Sequence, residues 1–283
     1  MNQLFNGLFK SFQKYLQPNK PYIKKGKYGI KYYIIPNSAL DLHIIKKGVF
    51  GDWAASKLGD IIPKNGSIFD IGANAGFLTL IFAKRYVPRG NVYAYEPDAE
   101  NFKQLNININ LNGLSNVKIF STALQNNPKT KKIYFNIRRA TDGDGKENRG
   151  LSSIISLPLY QVGKKMIDSS TIDIEAKKLK IKKIDFIKID VEGAEHMVLT
   201  GGKRAIQKFL PIIQYEYSST LDKMMKTNNA GKCFSFLKKI GYSQFAILKE
   251  KSLQEFTKPS LTFGDTNVIC FPENKISLIK KLR

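Results

Sequence analysis

The stretch SIFDIGANAGFLTLIF, residues 67–82, is an apolar run that breaks at two glycines and resumes beyond them. A buried strand, a tight turn and a buried helix account for that pattern, with Gly72 and Gly76 supplying the backbone freedom of the turn. From about residue 50 the chain repeats the alternation. NVYAY (91–95) reads as a strand, 98–112 as a helix and NVKIF (116–120) as a strand. After a gap come IDFIKID (184–190), a helix from Gly193, PIIQYEY (211–217), a helix near 230–240, SQFAIL (243–248) and NVICF (267–271). Strands separated by helices of this length form βαβ units, so the expectation is an open α/β sheet, mostly parallel, with helices on both faces. In the gap, KKIYFNI (131–137) reads as an added strand. RRATDGDGKENRG (138–150) reads as a polar, mobile loop, a candidate lid over a water-sensitive site.

Composition narrows the function classes. The 283 residues are 42% hydrophobic and 11% aromatic, enough for a buried core, and no run approaches the roughly 18 apolar residues of a membrane span. Cys233 and Cys270 are the two cysteines and no CxxC occurs, which argues against a disulfide framework or thiolate zinc site and fits a reducing cytoplasm. The net charge of +23 is spread along the whole chain, as on a lysine-rich solvated surface; it also makes an anionic or membrane-linked partner easier to accommodate. Residues 1–36 hold seven lysines and no acid. Leu4, Leu8, Phe12, Tyr15 and Leu16 recur there at helical spacing. Such a stripe packs on the main domain or on a second subunit, as in a homo-oligomer, or it lies peripherally on the inner membrane surface. The expected organisation is therefore a basic extension over 1–49, an amphipathic helix and a strand, and one domain over 50–283.

The glycine turn lies at the carboxyl end of its strand, where open parallel sheets bind ligands. A helix beginning there offers N–H groups and a partial positive charge to an anion. A dinucleotide fingerprint requires G-x-G-x-x-G, and G-A-N-A-G places Asn74 where the second glycine should be. S-adenosylmethionine asks for room for an amino-acid head group and an acid near a sulfonium cation, and Asp70 precedes the first glycine. Glu96 follows Gly72 by 24 residues at the end of the next strand, where a carboxylate accepts both ribose hydroxyls.

Taken together, FDIGANAGFLTL, VYAYEPDAENFKQLNININLN, VKIFSTAL and IDFIKIDVEGAEHMVLTGG resemble the FkbM-type S-adenosylmethionine-dependent methyltransferases over roughly residues 40–220. RGLSSI (149–154) and STIDIEAKKLKIKKIDFIKID resemble the segments leading into that family's KIDVEGAE strand. The resemblance implies a Rossmann-like class I methyltransferase fold, a seven-stranded sheet with its last strand antiparallel, and O-methylation of a sugar, glycoconjugate or related natural product. By position, Asp70, Gly72, Ala73, Asn74 and Gly76 would surround the methionine part. Glu96, with Pro97 beside it, would face the ribose and Ala123 the adenine.

Taking the proton from an acceptor hydroxyl needs a base or a metal. Asp190, Glu192 and Glu216 cluster at two strand ends. Asp190 would act as base, sit near the sulfonium, or bind Mg²⁺ together with Glu216. Glu195 reads as a favourable charge in a helix's first turn. His43 and His196 read as packed or exposed positions, and Ser152 and Ser153, by the resemblance, lie near the acceptor pocket. Two rivals differ in class. A nucleic-acid ribose methyltransferase would use the basic surface, although the Asn/Asp/Ser-Pro-Pro-aromatic motif of base N-methylation is replaced by D-V-E-G at 190–193. A non-enzymatic membrane-peripheral protein would have lost the cofactor residues, which are intact.

Overall fold

The computed structural model describes residues 20–49, 58–141, 145–157, 159–249, 252–260 and 264–282. A hairpin of β1 (Tyr22–Lys25) and β2 (Lys31–Ile34) leads to α1 (Ala39–Lys47). Next come β3 (Ser67–Ile71), α2 (Phe77–Ile81), β4 (Asn91–Tyr95), α3 (Ala99–Leu111) and β5 (Val117–Phe120). Five strands then follow without a helix: β6 (Ala123–Leu124), β7 (Lys132–Arg138), β8 (Ala140–Thr141), β9 (Glu147–Asn148) and β10 (Gln161–Ser170). The alternation resumes with α4 (Ile172–Lys178), β11 (Phe186–Ile189), α5 (Glu195–Gly201), α6 (Lys203–Phe209) and β12 (Ile212–Ser218). It closes through α7 (Ser219–Met225), α8 (Asn229–Lys239), β13 (Tyr242–Leu248), β14 (Leu253–Glu255) and β15 (Asp265–Pro272).

The main sheet has the order β14-β13-β15-β12-β11-β3-β4-β5. Its centre is parallel, and β15 runs antiparallel between β12 and β13. The seven strands of the expected sheet are all present, and the three-residue β14 adds an eighth at the edge of β13. Both faces are covered, which is why SIFDI and FIKI are buried at every position. Successive side chains go to opposite sides: Ile68 joins the core beneath α2 and α3, whereas Phe69 and Ile71 join the core beneath α5, α6 and α8. Strand order reverses between β3 and β11, so the crevice opens beyond Ile71 and Ile189, which pair in register.

The expected 76–86 helix is two pieces, α2 and a wider turn over Phe82–Tyr86, where Val87 N–H reaches back to Phe82 O at 2.9 Å. The added strand at 132 pairs antiparallel with the ten-residue β10, and β6 completes a small second sheet. The candidate lid over 138–150 is described except at residues 142–144. Its described residues form the β8/β9 ladder, and Arg139 bridges Asp98 at 3.0 Å and Glu147 at 3.2 Å. Part of the polar composition there serves internal ion pairing.

The hairpin and α1 pack on the domain: Ile30, Tyr32, Ile34 and Ile44 are fully buried in the same core as Leu80 and Leu105. Asn108 of α3 and Asn112 at its C-terminal cap accept the Tyr33 and Lys31 N–H groups. The amphipathic stripe expected over residues 4–16 lies outside the described residues. No helix among the described residues is long and apolar enough to cross a membrane.

Gly72 is the tightest point of the fold. Its φ is 77°, and a Cβ there would stand 1.7 Å from the backbone oxygen of Asp190. Gly72→Ala is expected to lower the unfolding free energy by more than about 2 kcal/mol, since strain and clash add. Urea denaturation checks this; an unchanged midpoint would show that the strand ends can part freely.

Candidate active site

Beyond the ends of β3, β4, β11 and β12 lies a cavity of about 260 Å³. Gly72, Ala73, Asn74, Glu96, Pro97 and Ala123 line one side, and Asp190, Glu192 and Glu216 another. The structure therefore brings nine of the eleven sequence-selected residues to one space. Asp70 and Gly76 are the exceptions.

Asp70 is wholly buried and does not line the cavity. Strand alternation explains it: with Phe69 and Ile71 committed to one face, Asp70 must point to the other, under α2. There Thr79 Oγ1 donates to Asp70 Oδ2 at 2.5 Å. The acid expected beside a sulfonium is instead part of the strand's internal scaffold. Gly76 likewise serves the turn, with φ 82° at the start of α2, where Leu105 leaves no room for a Cβ.

The N–H groups of the turn itself are used internally. Gly72 and Ala73 both donate to Tyr95 O at 3.0 Å, and Gly76 donates to Ala73 O at 2.9 Å. Asn74, held at φ 52°, donates its N–H to Glu96 Oε2 at 2.7 Å, and Ala75 N–H reaches Asn74 Oδ1. Glu96 Oε1 accepts a second backbone bond, from Asp98 N–H at 2.8 Å. Burial pushes the Glu96 carboxyl up to about 7, against the pull of those two hydrogen bonds. A carboxylate has about four acceptor positions, so both oxygens keep capacity for a ligand's hydroxyls.

Lys188 is a site residue that the motif reading passed over. It pairs in register with Asp70 across β3 and β11, is 4% exposed, and lines the cavity. Its Nζ donates to Gly72 O at 2.6 Å and lies 3.4 Å from Asp190 Oδ2 and 3.8 Å from Asp70 Oδ1. Burial works against the ammonium, but Asp190 and then Asp70 outweigh it and hold the pKa above the ordinary lysine value. A lysine between isoleucines in a buried strand was the available signal.

Asp190, Glu192 and Glu216 place carboxylate oxygens within 4.8 Å of one another. Burial, then the neighbouring carboxylates, push Glu192 up to about 8 and Glu216 well above the usual carboxylate range. Glu192 also carries a left-handed φ of 56°, the backbone strain that functional sites often hold. Glu195 secures this turn from beneath, accepting from Val191 and Gly193 N–H and from Asn229 Nδ2.

Phe135 of β7, and Ser152 and Ser153 from the segment between β9 and β10, supply a further part of the wall. Ser153 Oγ donates to Val191 O at 3.0 Å, tying this arm to the acidic turn. His43 and His196 stand outside the lining; the His196 ring meets Phe236 edge-on.

Residues 70–243 match the Methyltransferase FkbM domain. "Methyltransferase 1" of Beauveria bassiana (strain ARSEF 2860) is 26% identical over 183 residues, covering 60% of this chain and 70% of that protein. "Methyltransferase sdnD" of Sordaria araneosa is 28% identical over 194 residues, covering 61% and 72%. Among solved structures, the methyltransferase FkbM from Methylobacillus flagellatus KT aligns with 74% of this chain and 44% of that one. The identity is 18% and the TM-score 0.44.

Lys188→Met would leave Asp70 and Asp190 facing each other without a cation. The expected loss is about 3–5 kcal/mol of stability, the cost of breaking a buried pair. Adding Asp70→Asn should recover part of that loss. Denaturant titration of both variants checks it, and an uncoupled double variant would contradict the pairing.

Proposed function

The chain belongs to the FkbM methyltransferase family, and we propose that it transfers a methyl group from S-adenosylmethionine to a hydroxyl of a sugar, glycoconjugate or related natural product. The observation that carries the cofactor assignment is Glu96: a buried carboxylate at the end of β4, at the reversal of strand order, anchored by two backbone donors and still able to accept. Asn74 supports it as well, since it stands where a dinucleotide fingerprint requires its second glycine.

When bound, S-adenosylmethionine supplies an electrophilic methyl group on a sulfonium. Glu96 would hold the ribose hydroxyls, with Pro97 and Ala123 forming apolar wall and Gly72 to Asn74 the floor under the amino-acid end. Lys188 fixes that floor through Gly72 O, and its charge is balanced by Asp70 and Asp190. The acceptor hydroxyl must shed its proton as it is alkylated. Asp190, Glu192 and Glu216 line the same cavity and share that task. Alignment of acceptor and donor in a closed cavity supplies the larger part of the acceleration, on the order of 7–11 kcal/mol in the best cases.

The same three carboxylates offer the oxygen ligands that Mg²⁺ takes. The acceptor screen is therefore run with Mg²⁺ and with a chelator: loss under the chelator assigns the cluster to the metal, and persistence assigns it to the proton. Because burial keeps Glu192 protonated to about pH 8, the base form grows as pH rises. kcat/KM is expected to climb from about pH 6 to about pH 9. Asp190→Ala should lose turnover by about 100-fold or more while keeping its affinity for S-adenosylhomocysteine. Methyl incorporation into sugar acceptors measures both; a flat pH profile or an active Asp190→Ala variant would sink the role given to the cluster.

A further inference from the structure

Three arginines stand between the end of β7 and the start of β10, and their surroundings differ. Arg139 spends its guanidinium on Asp98, Glu100, Glu147 and Ser152 Oγ. Arg138 leaves Nε and Nη2 unpartnered, but both atoms are sealed from any accessible surface. Arg149 differs from both, because it lines the cavity. It is 8% exposed, and its Nη2 donates to Gln104 Oε1 at 2.6 Å with Asp41 Oδ2 3.8 Å away. That side of the guanidinium is anchored and faces a counter-charge. Nε and Nη1 have no partner, yet they are not among the sealed atoms and keep accessible surface.

The neighbouring residues add donors. The Arg149 carbonyl accepts from Asn101 Nδ2 at 3.1 Å, which holds the segment against α3. A Cβ on Gly150 would stand 3.1 Å from Asn148 Oδ1 and 3.4 Å from Asn74 Nδ2, so both amides lie against this backbone. Asn148 Oδ1 already accepts from Gly150 N–H, and Asn74 Oδ1 from Ala75 N–H. Those bonds settle which way each amide points. They leave both Nδ2 groups without a partner and, again, with accessible surface. Asn74 and Asn148 both line the cavity.

Every backbone N–H of residues 72–76 is used inside the chain, so the Asn74 amide is the donor that the glycine turn still offers. A guanidinium and two amide NH₂ groups therefore gather beside that turn, while Asp190, Glu192 and Glu216 line the side of β11 and β12. Asp41, the acid that the guanidinium faces, is fully buried and does not line the cavity. A set of N–H donors of this kind suits an anion, and a carboxylate takes such donors through short, charge-assisted bonds.

We propose, resting on the methyl-transfer reading, that Arg149, Asn74 and Asn148 form the site for the carboxylate at the cofactor's amino-acid end. Arg149 gives an N–H from Nε or Nη1, and the two amides close on the same group from either side of Gly150. The cofactor is then recognised by opposite chemistry at its two ends: an acceptor, Glu96, on the ribose hydroxyls, and donors on the carboxylate.

The test is calorimetry on the full chain with two probes: S-adenosylhomocysteine, and S-adenosyl-3-thiopropylamine, which keeps the nucleoside and the amine but lacks the carboxylate. Wild type is expected to bind S-adenosylhomocysteine about tenfold or more tighter, in line with hydrogen bonds to a charged group. Arg149→Met should erase most of that preference while leaving affinity for the amine analogue nearly unchanged. It also removes the partner of Gln104 and Asp41, so a second variant guards against misfolding. Asn74→Asp keeps the shape, the Oδ1 acceptor and tolerance of the left-handed backbone, but sets a negative charge against the carboxylate, and it should erase the preference too. Equal binding of the two probes by wild type, or a preference that survives either variant, would overturn the proposal. So would variants that weaken both probes equally, the signature of a purely structural role. Glu96→Ala, by contrast, should weaken both probes alike. Wild type that binds neither probe would defeat the methyl-transfer reading itself, a result distinct from one that binds both equally.

Discussion

Everything in the site depends on how closely β3 and β11 finish beside each other. Gly72 lies so near the backbone oxygen of Asp190 that no side chain fits between them. This single contact brings the glycine turn and the acidic turn, more than a hundred residues apart in sequence, to the rim of one crevice. The reversal of strand order places that crevice at the carboxyl ends of the strands, where no helix covers the sheet. Glycine is required here by the neighbouring backbone, and a ligand benefits from the space only secondarily.

Charge is the second organising feature. Lys188 stands under the turn with Asp70 on one side and Asp190 on the other, and it grips the Gly72 carbonyl. An ion triad of this kind contributes little net stability compared with an apolar replacement, but it fixes positions, because losing one member strands the others. Above it, burial keeps Glu192 protonated to about pH 8 and raises Glu216 well above the usual carboxylate range. The cavity thus has a rigid floor of opposed charges and a ceiling of carboxyls able to gain or lose a proton, a division of labour suited to holding one molecule still while deprotonating another.

Much of this was legible in the residues. Strands buried on both faces read as continuous apolar runs, and the β3, β4, β11 and β12 segments stand out for that reason. Glu96 was identifiable from its place at a strand end, 24 residues after Gly72. Asp70 was misplaced because proximity to the glycine was weighed above strand alternation, which turns it under α2. Lys188 needed the pairing register of two distant strands, since only opposite Asp70 does a buried lysine make sense. β10 stayed hidden because its lysines and its exposed Val162 and Met166 mask the strand period. Arg138 and Arg139 are indistinguishable as a dipeptide; their partners alone separate them. The ion pair that ties Arg139 to Asp98 joins distant residues and so leaves no local trace in the 138–150 segment.

The central claim is that this crevice is a nucleoside-sulfonium site with Glu96 on the ribose. Calorimetric titration with S-adenosylhomocysteine, with NAD as the control ligand and Glu96→Ala as the control protein, tests it most directly. The account predicts a single site for S-adenosylhomocysteine, no heat with NAD, and affinity reduced by about tenfold or more in Glu96→Ala, as expected when hydrogen bonds to a charged acceptor are lost. Binding of NAD, or affinity for S-adenosylhomocysteine that Glu96→Ala leaves untouched, would contradict it.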